Sequence, residues 1–145
     1  MLADIGALND LTSKIIGAAT TVHRRLGPGL LHSAYIPCFA YELRKQGLLV
    51  EVNVALSLEY DDLRIERAYE LDMRVERKVI VEVKCVTQLL PVHRAQLLTY
   101  LKLTDLPVGL LVNFHVPILK EGIRRVLNTP VTGSGNICDT HAERG

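Results

Sequence analysis

Tryptophan is absent from the 145-residue sequence, and aromatic residues make up only 5% of it. Long apolar runs are absent as well, since no stretch approaches the roughly 20 residues of a membrane-spanning helix. The opening segment, MLADIGALND, has neither the basic region nor the apolar region of a signal peptide. These absences argue against membrane and secreted classes, and they predict a cytoplasmic protein with no membrane partner.

Cysteine is scarce and scattered. The three cysteines, Cys38, Cys85 and Cys138, lie far apart in the sequence. They form neither a CxxC metal clip nor a disulfide framework, so we expect reduced thiols, with Cys85 as a small core residue.

Neither sign of charge predominates, because 17 Lys and Arg residues face 16 Asp and Glu residues and the formal net charge is +1. This balance provides no general attraction toward nucleic acid, so an anionic partner must be bound locally. Small basic clusters could form that local surface or could be ordinary solvated faces. They are His23-Arg24-Arg25, Arg44-Lys45, Arg64 with Arg67, and Lys120 with Arg124-Arg125.

Two helical patterns occupy the first part of the chain. Apolar residues recur at helical spacing over 11–26, where Gly-Pro ends the run, and Asn9 or Asp10 could cap its start. A second apolar repeat covers 31–43 and continues to a glycine. It contains Pro37, which should kink this helix or delay its start.

The period then changes to that of strands. Strict alternation over 50–60 predicts a strand with one buried face, and the Asp pair at 61–62 predicts a turn. A second strand is predicted over 63–75, a tight connection over 76–78, and an almost wholly apolar third strand over 79–86.

One more helix and one more strand complete the predicted domain. Pro91 suits the first turn of a helix that carries an apolar stripe, and residues 108–114 are expected to form a last buried strand. The length and element order predict a single α/β (α+β) domain over 1–128. Residues 129–145 are rich in turn formers and lack a period, so we expect a poorly structured tail.

Two charged residues interrupt the apolar third strand. Glu82 and Lys84 are two residues apart and therefore share one face of that strand. Buried charge is costly and usually has a partner or a function. The pattern Glu-x-Lys alone is weak, however, because residues 76–78 repeat it in a polar turn.

The predicted hairpin gives Glu82 an acidic neighbour. A three-residue loop at 76–78 would place Asp72 directly opposite Glu82, with Cβ atoms about 5 Å apart. A divalent cation such as Mg²⁺ or Mn²⁺ is the simplest way to make two such carboxylates compatible. Alternatively, Glu82 pairs with Lys84, or Lys84 with Glu70, on a solvent-exposed face of the sheet.

The predicted third helix carries polar residues on one stripe. His93, Gln96 and Tyr100 fall at positions i, i+3 and i+7, beside the apolar stripe. They could face the same site as the two carboxylates, or they could form an ordinary polar flank of the helix.

Several segments together resemble the GxxExxY proteins, a branch of the PD-(D/E)XK nuclease superfamily. The resemblance covers roughly residues 11–128 and implies a restriction-endonuclease-like core, in which helices, three antiparallel strands, a helix and a fourth strand follow one another. The segments that carry it are VHRRLGPGLL (22–31), AYELRKQG (40–47), VIVEVK (79–84), PVHRAQLLTYLK (91–102) and GLLVNF (109–114).

The resemblance implies a metal-dependent phosphodiester hydrolase. Asp72 would be the lone aspartate of the metal site, and Glu82 and Lys84 would be the (D/E)XK pair. The carboxylates and the carbonyl of Val83 would bind Mg²⁺ or Mn²⁺, and the lysine would position or deprotonate the attacking water.

Further site residues follow from the same resemblance. Gln96 and Tyr100 match the Gln-x-x-x-Tyr motif of RecB-like members. We expect nucleic acid as the partner, DNA more than RNA. Residues expected to contact it are His23, Arg24, Arg25 and His93.

The sequence departs from the family pattern at one prominent position. The motif Gly-x-x-Glu-x-x-Tyr reads Gly29 to Tyr35 here, with His32 in place of the glutamate. A histidine can still coordinate a metal but brings no negative charge, which weakens Mg²⁺ binding and favours softer ions. Two smaller departures are Pro37 in the same element and Leu71 before the site aspartate.

Three functions therefore stay open. The first is a metal-dependent nuclease acting on DNA or RNA. The second is a catalytically weakened or inactive module that keeps the fold to bind nucleic acid or protein. The third is a dimerisation unit of a toxin or defence system, in which the exposed second strand pairs with a copy of itself as a homodimer.

Overall fold

The computed structural model describes residues 5–129. The predicted tail therefore lies, apart from residue 129, outside the described residues. In chain order the helices and strands are α1 Ile5–Leu26, α2 His32–Lys45, β1 Val50–Tyr60, β2 Leu63–Val75, β3 Val79–Lys84, α3 Pro91–Thr104, β4 Val108–Asn113 and β5 Ile123–Leu127, with a 3₁₀ turn at Leu119–Gly122 before β5. None of the helices within these residues is both long enough and apolar enough to cross a membrane.

Helix α1 begins earlier than predicted. Asn9 and Asp10 lie inside it, so the predicted cap at these residues is wrong. The cause is Leu8, which is buried and extends the apolar stripe by a turn toward the amino terminus. The helix ends as predicted, at Gly27, whose φ of 70° is in the left-handed region and whose N–H bonds to the His23 carbonyl.

Helix α2 includes Pro37 instead of starting after it. The helix begins at His32, so the delayed start, one of the two effects expected of Pro37, is wrong. A proline cannot bond to the carbonyl four residues before it, which belongs to Ser33, an exposed residue that water can reach. Gly47 ends the element with a φ of 79° and donates to the Arg44 carbonyl.

The five strands form one sheet in the order β1-β2-β3-β4-β5. Neighbours are antiparallel except β3 and β4, which are parallel because α3 crosses between them. The three antiparallel strands and the helix that follows them are as predicted. The buried strand predicted over 108–114 is present as β4, but it is not the last strand, since β5 lies beyond it. Strand β5 is an edge strand with the sequence IRRVL, of which only Val126 is buried, and so it lacks a clear apolar pattern.

Helices cover both faces of the sheet. Val79, Val81 and Val83 of β3 pack in the core beneath α1 and α2, while Ile80 of the same strand packs in the core beneath α3. This double burial explains why β3 is apolar almost throughout. It also removes the alternative in which Glu82 lies on a solvent-exposed face, because Glu82 is 4% exposed.

The alternation of strands β1 and β2 is interrupted beside Asp72. Val54 and Leu71 pack on the α3 side, whereas Met73 packs on the α1–α2 side. Between them the pairing of β1 with β2 skips Asn53 and Asp72, and Asn53 has a φ of 52°. The strands therefore change faces at this break, and Asp72 lies at it. We call the hairpin beyond the break, residues 54–71, the β1–β2 arm.

Gly122 and Gly109 provide a test of the packing. A Cβ on Gly122 would overlap the backbone oxygen of Asn113, whereas a Cβ on Gly109 would meet the movable side chain of Leu97. We expect Gly122→Ala to lower the free energy of unfolding by about 1–3 kcal/mol, and Gly109→Ala to lower it less. Urea unfolding of both variants measures the difference, and an equal or reversed order would contradict this packing.

Candidate functional site

Asp72 and Glu82 come together where β2 and β3 separate. As the tight turn predicted, Val75 pairs with Val79, and the ladder continues to Met73–Val81 and then stops. In the next positions side chains replace the ladder. The Asp72 N–H donates to Glu82 Oε2 at 2.8 Å, and the Val83 N–H donates to Asp72 Oδ2 at 2.9 Å. Each carboxylate therefore accepts a hydrogen bond from a backbone N–H of the other strand, and the two carboxylates are neighbours.

The surroundings of Glu82 oppose its ionisation. Burial is the main cause, the charge of Asp72 adds to it, and together they raise the pKa of Glu82 from 4.5 to about 7. The N–H of Asp72 and the charge of Lys84 act in the opposite direction but do not offset the burial. A group of positive charge placed between the carboxylates would relieve this unfavourable arrangement.

The carbonyl of Val83 faces the same gap between the strands. In a β-strand, the N–H and the C=O of one residue point to the same side of the strand. Because the Val83 N–H points toward Asp72, the Val83 carbonyl points toward β2 as well. The carbonyl of the next residue, Lys84, points the other way and accepts from Phe114. Because the β2–β3 ladder has already ended, the Val83 carbonyl is placed for a ligand beside the two carboxylates.

His32 contacts the carboxylate of Asp72. Its Nε2 lies 3.0 Å from Asp72 Oδ2, and its side chain is 46% exposed. Because carboxylate oxygens are hydrogen-bond acceptors, this contact is assigned as a bond that Nε2 donates to Asp72 Oδ2. His32, at the position where the GxxExxY pattern has a glutamate, therefore lies in contact with the acidic pair.

Tyr35 fixes the loop that leads to His32. Its hydroxyl donates to the Gly27 carbonyl at 2.5 Å and accepts from the Leu30 N–H at 3.1 Å. The ring is fully buried and stacks on Phe114 with centroids 4.4 Å apart. The tyrosine of the motif thus has a structural role, because it holds the start of α2 against the end of the sheet.

Lys84, Gln96 and Tyr100 form a second group next to the carboxylates. Lys84 Nζ donates to Gln96 Oε1 at 3.4 Å, and the Gln96 side chain is also hydrogen-bonded to Tyr100. Burial raises the pKa of Tyr100, and the charge of Glu82 raises it further. The polar stripe of α3 and the acidic pair of the sheet therefore face one another.

The two histidines predicted to contact nucleic acid have structural partners. His93 Nδ1 accepts from the Leu90 N–H at 2.9 Å and caps the start of α3. His23 Nε2 lies 2.8 Å from the Val116 carbonyl, so it bonds α1 to the segment after β4. Arg24 and Arg25 are exposed on the last turn of α1, and Arg25 Nη1 is 3.9 Å from Glu42 Oε2.

Two residues that sequence reasoning missed shape the site. Asn113 is buried and bonds through its amide to both the N–H and the C=O of Val86, which fixes the chain after β3. Tyr69 of β2 stacks on Tyr100 with ring centroids 5.0 Å apart. The asparagine at the end of an apolar strand was a usable signal, whereas nothing in the sequence pattern marked the tyrosine.

The donor set fits a hard divalent cation that keeps part of its water shell. Within residues 5–129, no three side chains of His, Cys, Asp or Glu converge closely enough to enclose a metal by themselves. The gap between β2 and β3 is nevertheless lined by oxygen donors, which are the carboxylates of Asp72 and Glu82 and the carbonyl of Val83. Mg²⁺ is commonly held by one or two carboxylates with several waters, so these residues suit it.

The fold and this arrangement together define a class of protein. The mixed α+β architecture, with its five-stranded sheet and three helices, confirms the predicted restriction-endonuclease-like fold. A family model described as the PD-(D/E)XK nuclease superfamily matches residues 9–126, so the chain belongs to that superfamily. No curated protein and no solved structure matches the chain. Members of the superfamily generally use divalent metals, and membership implies a nuclease-like function with a nucleic-acid substrate.

The raised pKa of Glu82 predicts how stability depends on pH. The folded protein keeps this proton up to about pH 7, whereas the unfolded chain loses it from about pH 4.5. Rising pH between these values therefore destabilises the folded state, and the effect is complete above the folded pKa. Glu82→Gln removes the effect, so in a chelating buffer at pH 8 we expect it to raise the free energy of unfolding by about 1–3 kcal/mol.

Urea unfolding at pH 5, 6, 7 and 8 measures this difference between wild type and variant. The exposed Glu70→Gln is the matched control and should change little. A Glu82→Gln protein that is less stable at pH 8, or whose advantage does not grow with pH, would contradict the account of the buried carboxylate.

Proposed function

We propose that the protein hydrolyses phosphodiester bonds of nucleic acid, DNA more than RNA, with Mg²⁺ or Mn²⁺. One observation carries the proposal: Asp72 and Glu82 lie together at the gap between β2 and β3, and Lys84 follows on the same face. Because the chain belongs to the PD-(D/E)XK nuclease superfamily, the grouping of two carboxylates with a lysine supports catalysis more than it supports a structural ion pair.

The acidic pair and the Val83 carbonyl would hold the ion. A bound divalent ion would lower the pKa of a water molecule and stabilise the charge that develops on the phosphate. Glu82 fits this role because its burial makes its own negative charge unfavourable without a cation. Asp72 fits it because its position at the break in β2 points its carboxylate into the gap.

Lys84 would position the attacking water through its ammonium, or would accept a proton from that water as a neutral amine. Its ammonium is oriented by the amide oxygen of Gln96, which leaves the lysine fixed beside the carboxylates. Tyr100 would contact the phosphate through its hydroxyl, which lies within the electrostatic influence of Glu82 and Asp72. These roles correspond to the RecB-like Gln-x-x-x-Tyr motif.

Within the superfamily, we assign the protein to the GxxExxY branch. The supporting observation is that His32, at the position of the motif glutamate, contacts Asp72. Tyr35 also supports it, since this residue holds the loop that presents position 32. We further propose that residues 1–128 form one domain and that the protein acts in the cytoplasm.

The substrate surface is best sought at the end of α1. Arg24 and Arg25 are exposed there and remain candidates for phosphate contacts. His23 and His93 are weaker candidates, because each already uses one ring nitrogen within the fold.

A second candidate function is a binding module without catalysis. The contact between His32 and Asp72 favours it, because the imidazole of His32 occupies a carboxylate oxygen of Asp72 that a metal would otherwise bind. The fold disfavours a homodimer in which β2 pairs with the β2 strand of a second copy. Strand β2 lies between β1 and β3, and its outer edge in the β1–β2 arm contains Arg67 at a φ of 53° next to a shift in register. Such bulges disfavour edge pairing.

Two substitutions separate catalysis from metal binding. We expect Lys84→Ala to reduce cleavage by at least about 100-fold while metal binding is largely kept, because the lysine acts on the water and not on the ion. Asp72→Asn should lose both. Cleavage of single- and double-stranded DNA and RNA measures the first property, and calorimetry with Mn²⁺ measures the second.

Lys78→Ala is the matched control, since Lys78 belongs to the second Glu-x-Lys pattern and is exposed in the turn after β2. It should behave as wild type. A wild-type protein that neither binds metal nor cleaves any of these substrates would contradict the proposed nuclease and support the binding module instead.

Position 32 gives an independent test. His32→Glu adds a carboxylate beside Asp72 and removes a proton donor, so we expect Mg²⁺ to bind about tenfold more tightly and cleavage to rise. His32→Ala removes the donor without adding charge and should change Mg²⁺ affinity much less. Equal or weaker Mg²⁺ binding by the glutamate variant would show that this position does not act on the ion.

A further inference from the structure

Tyr69 is the aromatic contact between the β1–β2 arm and helix α3. Its ring lies nearly parallel to that of Tyr100, at an interplanar angle of 17° with centroids 5.0 Å apart. Both rings pack against the core beneath α3, and burial raises the pKa of Tyr69. The proposed function gives a role to Tyr100 but none to Tyr69.

The contact continues from Tyr100 to the lysine of the site. Gln96 Oε1 accepts from Lys84 Nζ at 3.4 Å. The amide nitrogen of Gln96 is therefore the group left to donate to the Tyr100 hydroxyl oxygen, with which the side chain is also hydrogen-bonded. The Gln96 amide therefore lies between the Tyr100 hydroxyl and the Lys84 ammonium.

Tyr69 also lies on the strand that carries Asp72. It precedes that aspartate by three residues, immediately beyond the break at which β1 and β2 change faces. The aspartate belongs to the acidic half of the site, and the stacked ring contacts the half supplied by α3. A single strand segment thus links the two halves.

We propose that Tyr69 is a positioning residue of the nuclease site. By stacking on Tyr100 it sets the distance between α3 and β2, and through Gln96 it holds the Lys84 ammonium in place relative to Asp72. The planar ring is what this role requires, and the Tyr69 hydroxyl is not part of it. The proposal rests on the proposed nuclease function for its catalytic readout.

Steady-state cleavage with Mn²⁺ provides that readout. We expect Tyr69→Ala to lower kcat about 10- to 100-fold with KM changed less than about threefold, because a misplaced group slows chemistry more than it weakens substrate binding. Tyr69→Phe keeps the ring and should remain within about twofold of wild type. Tyr60→Ala is the control, because Tyr60 lies on the same arm and is 69% exposed.

Tyr69→Leu serves as a second variant if Tyr69→Ala fails to fold, since leucine retains apolar volume but not the ring. It should share the kcat defect of the alanine variant. In a Tyr100→Leu background, Tyr69→Ala should have little additional effect, because the two residues act as a unit.

An NMR measurement on the metal-free protein tests the positioning role of Tyr69 without an activity assay. The side-chain amide signals of Gln96 should shift in Tyr69→Ala and stay in place in Tyr69→Phe and Tyr60→Ala. Unchanged Gln96 signals in Tyr69→Ala, or a phenylalanine variant as defective as the alanine variant, would overturn the proposal. A wild type that cleaves nothing would instead overturn the proposed function, and the Gln96 signals would still test the positioning role.

Discussion

The site depends on the replacement of a sheet ladder by two carboxylates. Beyond Met73 and Val81 the backbones of β2 and β3 no longer pair, and the side chains of Asp72 and Glu82 take the N–H groups that a ladder would have used. This arrangement satisfies the backbone donors, but it brings two acidic groups together in a place where water is largely excluded. Burial and the neighbouring charge then raise the pKa of Glu82, so the fold stores an electrostatic cost that a cation can relieve.

The surrounding helices and strands keep this gap open and place further side chains beside it. Helices on both faces bury β3, and the parallel β3–β4 pair carries Lys84 to the same end of the sheet as Asn113. Asn113 bonds to the backbone of Val86 and so holds the chain just after Lys84. Helix α3, which connects these parallel strands, places Gln96 and Tyr100 over the gap. The site is therefore assembled from β2, β3, α3 and β4, which follow one another along the chain and meet at one end of the sheet.

Much of the sheet could be predicted from the sequence. The strict alternation over 50–60 predicts strand β1, and the tight turn at 76–78 determines the register between β2 and β3. The register alone brought Asp72 opposite Glu82. The break at Asn53 could not be predicted, because apolar residues continue the alternation on either side of it while packing on different faces. Strand β5 was missed because its arginines mask its one buried residue. The bond between His93 and the Leu90 N–H could not be predicted, since a polar residue at the start of a helix serves as a cap as readily as it faces a site.

The central claim is that the two carboxylates share one divalent ion, and a crystal structure with Mn²⁺ tests it most directly. The anomalous signal of the metal identifies its position, and the distances identify its ligands. The account predicts a peak in the gap between β2 and β3, bound by one oxygen each of Asp72 and Glu82 and by the Val83 carbonyl, at about 2.0–2.2 Å in keeping with small hard cations. A protein that binds Mn²⁺ elsewhere, or that shows the two carboxylates sharing a proton with no ion at any Mn²⁺ concentration, would contradict it.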